Sequence, residues 1–219
     1  MRLALFDLDH TLLNGDSDQL WCDFLIEKGM LEKASFSQRN AQIASDYQSG
    51  TVDVQVFCDF YIGSLVLKSP QDWQPLRVEF LHEWIAPRLA AAGKVQIQIH
   101  QAQGDRVVMT TATNRFITEL TAEHLGVSDL IATETEIQNG LFTGHATGVP
   151  NMREGKVKRL HAWLSAQGLD LSTIETWGYS DSMNDLPLLE AVNHPTVTQG
   201  DTRLRTLAQA RGWPLVDWF

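Results

Sequence analysis

The run Arg2-Leu3-Ala4-Leu5-Phe6, closed by Asp7-Leu8-Asp9, constrains this chain more than any other stretch. A short apolar segment of this kind reads as a buried strand. With a side-chain period of two, Asp7 and Asp9 face the same side wherever strand geometry persists, so two carboxylates meet at one edge of a sheet. Like charges that close are tolerated if a cation lies between them, a proton neutralises one, or water screens both. In α/β proteins the crevice beyond the carboxyl ends of the strands is also where ligands bind. The plainer reading is a solvated turn after an edge strand.

Further signals follow downstream, each after its own apolar run. Val107 to Thr110 reads as a strand that delivers Thr111-Ala112-Thr113-Asn114 to the start of a helical pattern. Arg153-Glu154-Gly155-Lys156 opens an amphipathic helix with Val157, Leu160 and Leu164 on one stripe. Lys156 falls in its first turn, where a cation opposes the helix dipole and needs another reason to be there. Ile174 to Tyr179 reads as a strand running into Ser180-Asp181-Ser182-Met183-Asn184-Asp185, so carboxylates gather again at a strand end. Each residue has a blander use. Thr111 can cap the helix starting near Asn114, Asp185 can charge the start of the helix carrying Leu188 and Leu189, and Lys156 can be a solvated surface lysine.

The order strand-D-x-D-x-T, strand-Thr, helix-Lys, strand-D-x-x-x-D resembles the haloacid dehalogenase superfamily of phosphatases over nearly the whole chain. The branch it most resembles has a helical cap after the first strand and includes phosphoserine phosphatases. The resemblance implies an α/β fold: a doubly wound, mainly parallel, Rossmann-like sheet with an inserted α-helical cap and a small β-hairpin. It implies Asp7 as nucleophile, forming an aspartyl-phosphate, and Asp9 as general acid and base. Mg²⁺ would be held by Asp7, the backbone carbonyl of Asp9 and Asp181, with Asp185 behind them orienting a metal water or Lys156. Thr111, Ala112 and Lys156 would bind phosphate, Thr111 with backbone N–H groups at a helix start. Phosphate monoesters hydrolyse so slowly unaided that the barrier must fall by over ~20 kcal/mol, much of it through electrostatics.

Substrate choice would lie in the cap. In phosphoserine phosphatases an acid close by spacing to Asp16 meets the substrate amine, and a cap arginine meets its carboxylate. This chain keeps the acid, with Asp18 just beyond it, but the context of Arg39 does not match that arginine and Arg77 comes late. The stretches Gly15-Asp16-Ser17-Asp18 and Thr113-Asn114-Arg115-Phe116 are similar to bacterial members assigned as histidinol-phosphatases. Histidinol phosphate, and with it histidine biosynthesis, is therefore the expected assignment, with phosphoserine as the alternative. Asp16 and Asn184 are the candidate substrate contacts.

The expected division is a catalytic core of residues 1–13 and 89–219 and a helical cap of 14–88. The cap segment carries helical stripes, such as Leu20, Trp21, Phe24 and Leu25, then Val54, Phe57, Cys58 and Tyr61, then Trp73, Leu76, Phe80, Leu81 and Trp84, with Pro87 ending it. Beyond it, a helix leads to the Val107 strand, and Leu130 to Ala132 gives another strand. Glu136 to Thr143 reads as a hairpin around Asn139-Gly140. Thr196 to Thr198 and Trp213 to Val216 supply two more short strands.

With 17 basic and 27 acidic residues, the net charge of −10 disfavours nucleic acid, which wants a basic face. No apolar run is long enough for a membrane span, and Asp7 ends the first run before a signal-peptide core can form. Cys22 and Cys58 sit among apolar neighbours as reduced thiols. These features point to a cytoplasmic enzyme acting on a small-molecule phosphomonoester, and they leave its oligomeric state open. A receiver-like signalling module also sets acids, Thr and Lys on a doubly wound sheet, but it lacks the acid two residues after the nucleophile and a helical insertion of this length. A metal-free dehalogenase lacks the equivalent of Asp9.

Overall fold

The computed structural model describes residues 1–219, apart from the side chain of Gln48. Its sheet has the order β4-β3-β2-β1-β5-β6-β7. The strands are β1 (Arg2–Phe6), β2 (Arg106–Asn114), β3 (Asp129–Gln138), β4 (Leu141–Thr147), β5 (Glu175–Ser180), β6 (His194–Thr198) and β7 (Leu215–Val216). All neighbours pair in parallel except β3 with β4. The architecture is the α/β, doubly wound, mainly parallel sheet expected from the alternation of strands and helices.

Apolar residues of the central strands serve two faces. Ala4, Phe6, Val107 and Met109 pack into one core, whereas Leu3, Leu5 and Val108 pack into the other beside Leu160 and Leu164. Strand periodicity explains the division, and burial on both faces explains why these strands read as continuous apolar runs. The second face is covered by α7 (Glu154–Ser165) and α8 (Leu186–Ala191); α5 (Ala91–Ala102), α6 (Arg115–His124) and α9 (Thr202–Arg211) complete the layers.

Between β1 and β2 lies a helical insertion: α1 (Ser17–Glu27), α2 (Lys33–Ser49), α3 (Val54–Ile62) and α4 (Pro70–Phe80). The α4 helix runs on through a π turn at Leu81–Ile85 and a 3-10 turn at Ala86–Arg88 that contains Pro87. Proline has no amide N–H to continue the ladder, which suits it to this stop. The outgoing and returning chains lie side by side. Asn14 N donates to Arg88 O at 2.9 Å and Ala90 N to Leu12 O at 2.8 Å. Trp21, Phe24, Trp73 and Phe80 form an aromatic cluster inside the insertion, with centroid separations of 5.1–5.7 Å.

The hairpin turns at Asn139 (φ 53°) and Gly140 (φ 80°), the two left-handed positions that an Asn-Gly pair suits. Its outer strand docks on the insertion, with Leu67 N donating to Phe142 O and Phe142 N to Lys68 O. Both cysteines are free and buried.

Candidate active site

Asp7 follows the last residue of β1, and its N–H donates to Tyr179 O at 3.0 Å, which fixes it between β1 and β5. Lys156 Nζ donates to Asp7 Oδ1 at 2.7 Å and to Asp185 Oδ2 at 2.6 Å. All three side chains are buried. Burial, with Asp185 and Asp9 adding to it, pushes Asp7 up to about 7 against the opposing pull of Lys156. Lys156 itself is raised by its two acids, which outweigh its burial and keep it a cation.

Local chain geometry puts Lys156 there. Gly155 is required, because a Cβ at that position would stand 2.1 Å from Pro150 O. Arg153 takes a left-handed φ of 53° to enter α7. Asn151, fully buried, ties this turn to the sheet: its N–H donates to Thr133 Oγ1 at 3.0 Å, and its Nδ2 lies within 3.0 Å of Thr110 Oγ1, Thr111 O and Ile131 O. A lone Asn between Pro150 and Met152 offered the sequence no signal of this role.

Asp9 does not extend the strand beside Asp7. Because β1 ends at Phe6, Asp9 turns toward β2 and α1. Its Oδ1 accepts from Ser17 N at 2.7 Å, and its Oδ2 from Thr111 Oγ1 at 3.2 Å and Thr113 Oγ1 at 3.0 Å. Thr111 is not at a helix start either. β2 runs on to Asn114, whose Oδ1 caps α6 by accepting from Ile117 N. Ala112 lies where the β2–β3 register shifts, between the pairs Thr111–Ala132 and Asn114–Thr133. The alternation of Thr111 and Thr113 along one strand was the available clue to Thr113.

Asp181 Oδ1 accepts from Thr11 Oγ1 at 3.1 Å, and the same hydroxyl accepts from Asp181 N at 3.1 Å. Burial, then Asp7 and Asp185, raise Asp181 well above the usual carboxylate range. Asp185 is steadied by Ser180 Oγ at 2.7 Å. Asp7, Asp181 and Asp185 thus gather at the ends of β1 and β5, with Lys156 bonded to Asp7 and Asp185, while Asp9 stands beside them facing β2 and α1.

A cavity of about 780 Å³ opens beside this cluster, and Asp16, Asp181 and Asn184 line it with His10. Asp7, Asp9, Thr111 and Lys156 are not in its wall. Asp16 caps α1, its Oδ1 accepting from Gln19 N at 2.9 Å, and burial with the charge of Asp9 raises it to about 6. Asn184 is engaged at both ends of its amide. Its Oδ1 accepts from Arg153 Nε at 3.2 Å, and its Nδ2 donates to Tyr47 O at 3.2 Å at the end of α2. Arg77 is spent elsewhere, on Glu119 at 2.9 Å and the Phe116 ring, while Arg39 is exposed.

Among the described residues no group of three His, Cys, Asp or Glu side chains is placed to hold a metal by itself. A hard cation that keeps several waters does not need three, since one or two carboxylates with a backbone carbonyl suffice. The donor set here is all oxygen, and burial with the neighbouring acids raises both Asp7 and Asp181, so the residues present fit such an ion.

A buried acid bonded to a buried lysine at the carboxyl ends of a parallel sheet, with a helical insertion after the first strand, is the arrangement of a class of hydrolase. Residues 4–190 match the haloacid dehalogenase-like hydrolase family, and the chain belongs to it. It is 36% identical over 219 residues to a histidinol-phosphatase of Neisseria meningitidis, covering 99% of each chain. It is 28% identical over 225 residues to a phosphoserine phosphatase of Mycobacterium tuberculosis, covering 98% of this chain and 70% of that one. A Bordetella pertussis protein of unknown function has a similar structure, with a TM-score of 0.93 at 42% identity, covering 100% of this chain and 99% of that one. A substrate-bound phosphoserine phosphatase superposes with a TM-score of 0.68 at 15% identity, covering 100% and 93%, which speaks for the fold alone. The protein is a phosphoric monoester hydrolase. No helix among the described residues is long and apolar enough to cross a membrane.

Proposed function

We propose that this phosphatase hydrolyses histidinol phosphate with Mg²⁺, through an aspartyl-phosphate on Asp7. The reading rests above all on Lys156, which holds Asp7 at 2.7 Å in a buried pocket where a carboxylate and a phosphoryl group both need a counter-charge. Asp7 attacks phosphorus with Oδ2, the oxygen Lys156 leaves open, and the alkoxide departs with a proton from Asp9, which takes that proton from solvent once the Thr111 hydroxyl has turned from it to the phosphate. Water then cleaves the acyl phosphate, and Asp9 takes back a proton as general base. Asp7, the Asp9 carbonyl and Asp181 would hold Mg²⁺, whose chemistry is to neutralise the charge gathering on phosphate oxygens. Thr111, with Ala112 in the β2 register shift, holds phosphate oxygens once its hydroxyl turns from Asp9. Residues 14–88 act as the cap over a core of 1–13 and 89–219.

The cavity favours an amino alcohol phosphate. Asp16 can meet an ammonium through Oδ2, and Tyr47 and Phe57 line the same cavity with aromatic surface suited to an imidazole. Among the described lining residues, none contributed by 14–88 is a lysine or arginine, so the insertion offers no cation for a substrate carboxylate. Purified protein with Mg²⁺ should release phosphate from histidinol phosphate with a kcat/KM at least about tenfold above that for phosphoserine, a difference of about 1.4 kcal/mol. Chelation should abolish both activities. Full turnover after chelation refutes the metal dependence, and a preference for phosphoserine refutes the substrate.

A further inference from the structure

Asp18, in the first turn of α1, is 3% exposed and lies outside the cavity wall. Its Oδ2 is 3.0 Å from Thr113 Oγ1, and its Oδ1 is buried with no hydrogen-bond partner. The same Thr113 hydroxyl is 3.0 Å from Asp9 Oδ2 and 3.1 Å from Ser17 Oγ. A threonine hydroxyl has one proton and two lone pairs, so it cannot donate to two carboxylates at once. One of the two acids must carry a proton and donate it to Thr113.

Asp9 is the acceptor of the pair. It already receives the Ser17 N–H and the Thr111 hydroxyl. The Asp18 side chain has Thr113 as its one hydrogen-bond partner and no ion pair among the described residues. If ionised, it would leave a charged oxygen bare in the core, whereas the carbonyl of a neutral acid costs much less there. With the proton on Asp18 the count closes. Thr113 accepts from Asp18 and Ser17, fills both lone pairs, and donates its only proton to Asp9. Burial, followed by the charges of Asp16 and Asp9, also raises Asp18 well above the carboxylate range.

We infer that Asp18 is a buried, un-ionised carboxylic acid that acts through Thr113 to keep a hydrogen-bond donor aimed at Asp9, making it a positioning residue for the general acid and base. The inference rests on the role proposed for Asp9. It assigns work to an acid that, by its spacing alone, could be mistaken for a contact to a substrate amine.

The test uses the full-length protein with saturating Mg²⁺ and an aryl phosphate. Asp18→Ala removes the donor and should lower kcat about tenfold with KM little changed. Asp18→Asn places an amide N–H where the acid has its O–H, and should bring kcat back to within about twofold of the parent. An infrared difference spectrum between parent and Asp18→Asn at neutral pH should show the carbonyl stretch of an un-ionised carboxylic acid. This last readout needs neither activity nor the alanine variant. Bands of an ionised carboxylate in that difference spectrum, or Asp18→Asn as damaging as Asp18→Ala, would overturn the inference. Full activity in Asp18→Ala would overturn the positioning role. Full activity in Asp9→Asn would instead refute the general acid and base reading, and it would leave the infrared result standing.

Discussion

Lys156→Met removes the cation that Asp7 and Asp185 share while keeping most of the side chain's volume. Lys156 is 2% exposed, and its ammonium sits 2.7 and 2.6 Å from two carboxylates that are themselves buried. Breaking a buried ion pair from one side costs about 3–5 kcal/mol, because the charge left behind has lost its solvation and its partner. For a chain of this size each kcal/mol lowers Tm by about 2–4 °C, so metal-free Lys156→Met should melt about 6–20 °C below the parent at neutral pH. The gap should narrow on acidification, because the orphaned carboxyls can then take up protons. Adding Asp185→Asn to Lys156→Met should recover part of the loss by removing one orphaned charge. Thermal denaturation of the parent, both single variants and the double variant in chelator measures all of this. In Mg²⁺, turnover of an aryl phosphate and of an aminated substrate should fall together. A metal-free Tm within about 2 °C of the parent would refute the argument, since the lysine would then carry no unshared burden.

Asp16→Asn keeps the cap of α1, because Asn is as good an N-cap as Asp, but removes the charge facing an ammonium. The kcat/KM for histidinol phosphate should fall about ten- to a hundredfold while that for a neutral aryl phosphate holds; equal losses would show that Asp16 acts on the loop or the chemistry. Asp7 is raised from 3.8 to about 7, Asp16 from 3.8 to about 6, and Asp181 is raised as well. Between the unfolded and folded values the native protein binds protons that the unfolded chain has released, so these groups make stability fall as pH rises through that window. Metal-free protein should therefore have a lower Tm at about pH 8 than at about pH 5, and saturating Mg²⁺ should flatten the trend; a Tm that climbs with pH in chelator would contradict the crowding of these acids.

What the sequence determined by itself was local. The run from Arg2 to Phe6 is a strand because Leu3 to Phe6 must be buried on both faces, and Asp7 ends the apolar run because a carboxylate needs a charged or hydrogen-bonding partner that the apolar core lacks. Asn139-Gly140 sets its own turn through two left-handed residues, and Lys156 falls in the first turn of α7 by spacing alone. Wherever a residue's environment comes from chain more than ten positions away, only the tertiary structure decided. Thr111 looked like a residue before a helix, but pairing with β3 carries β2 on to Asn114. Asp7 and Asp9 look like a matched pair in the alternation, yet Asp9 is drawn aside by Ser17, Thr111 and Thr113, two of which arrive from β2. Asn151 carries no pattern at all, and the spacing of Asp18 beside Asp16 says nothing of Thr113. Their roles come from hydrogen-bond groups delivered by other elements to a buried point where every donor and acceptor must be accounted for, and a one-dimensional period cannot show which groups those will be.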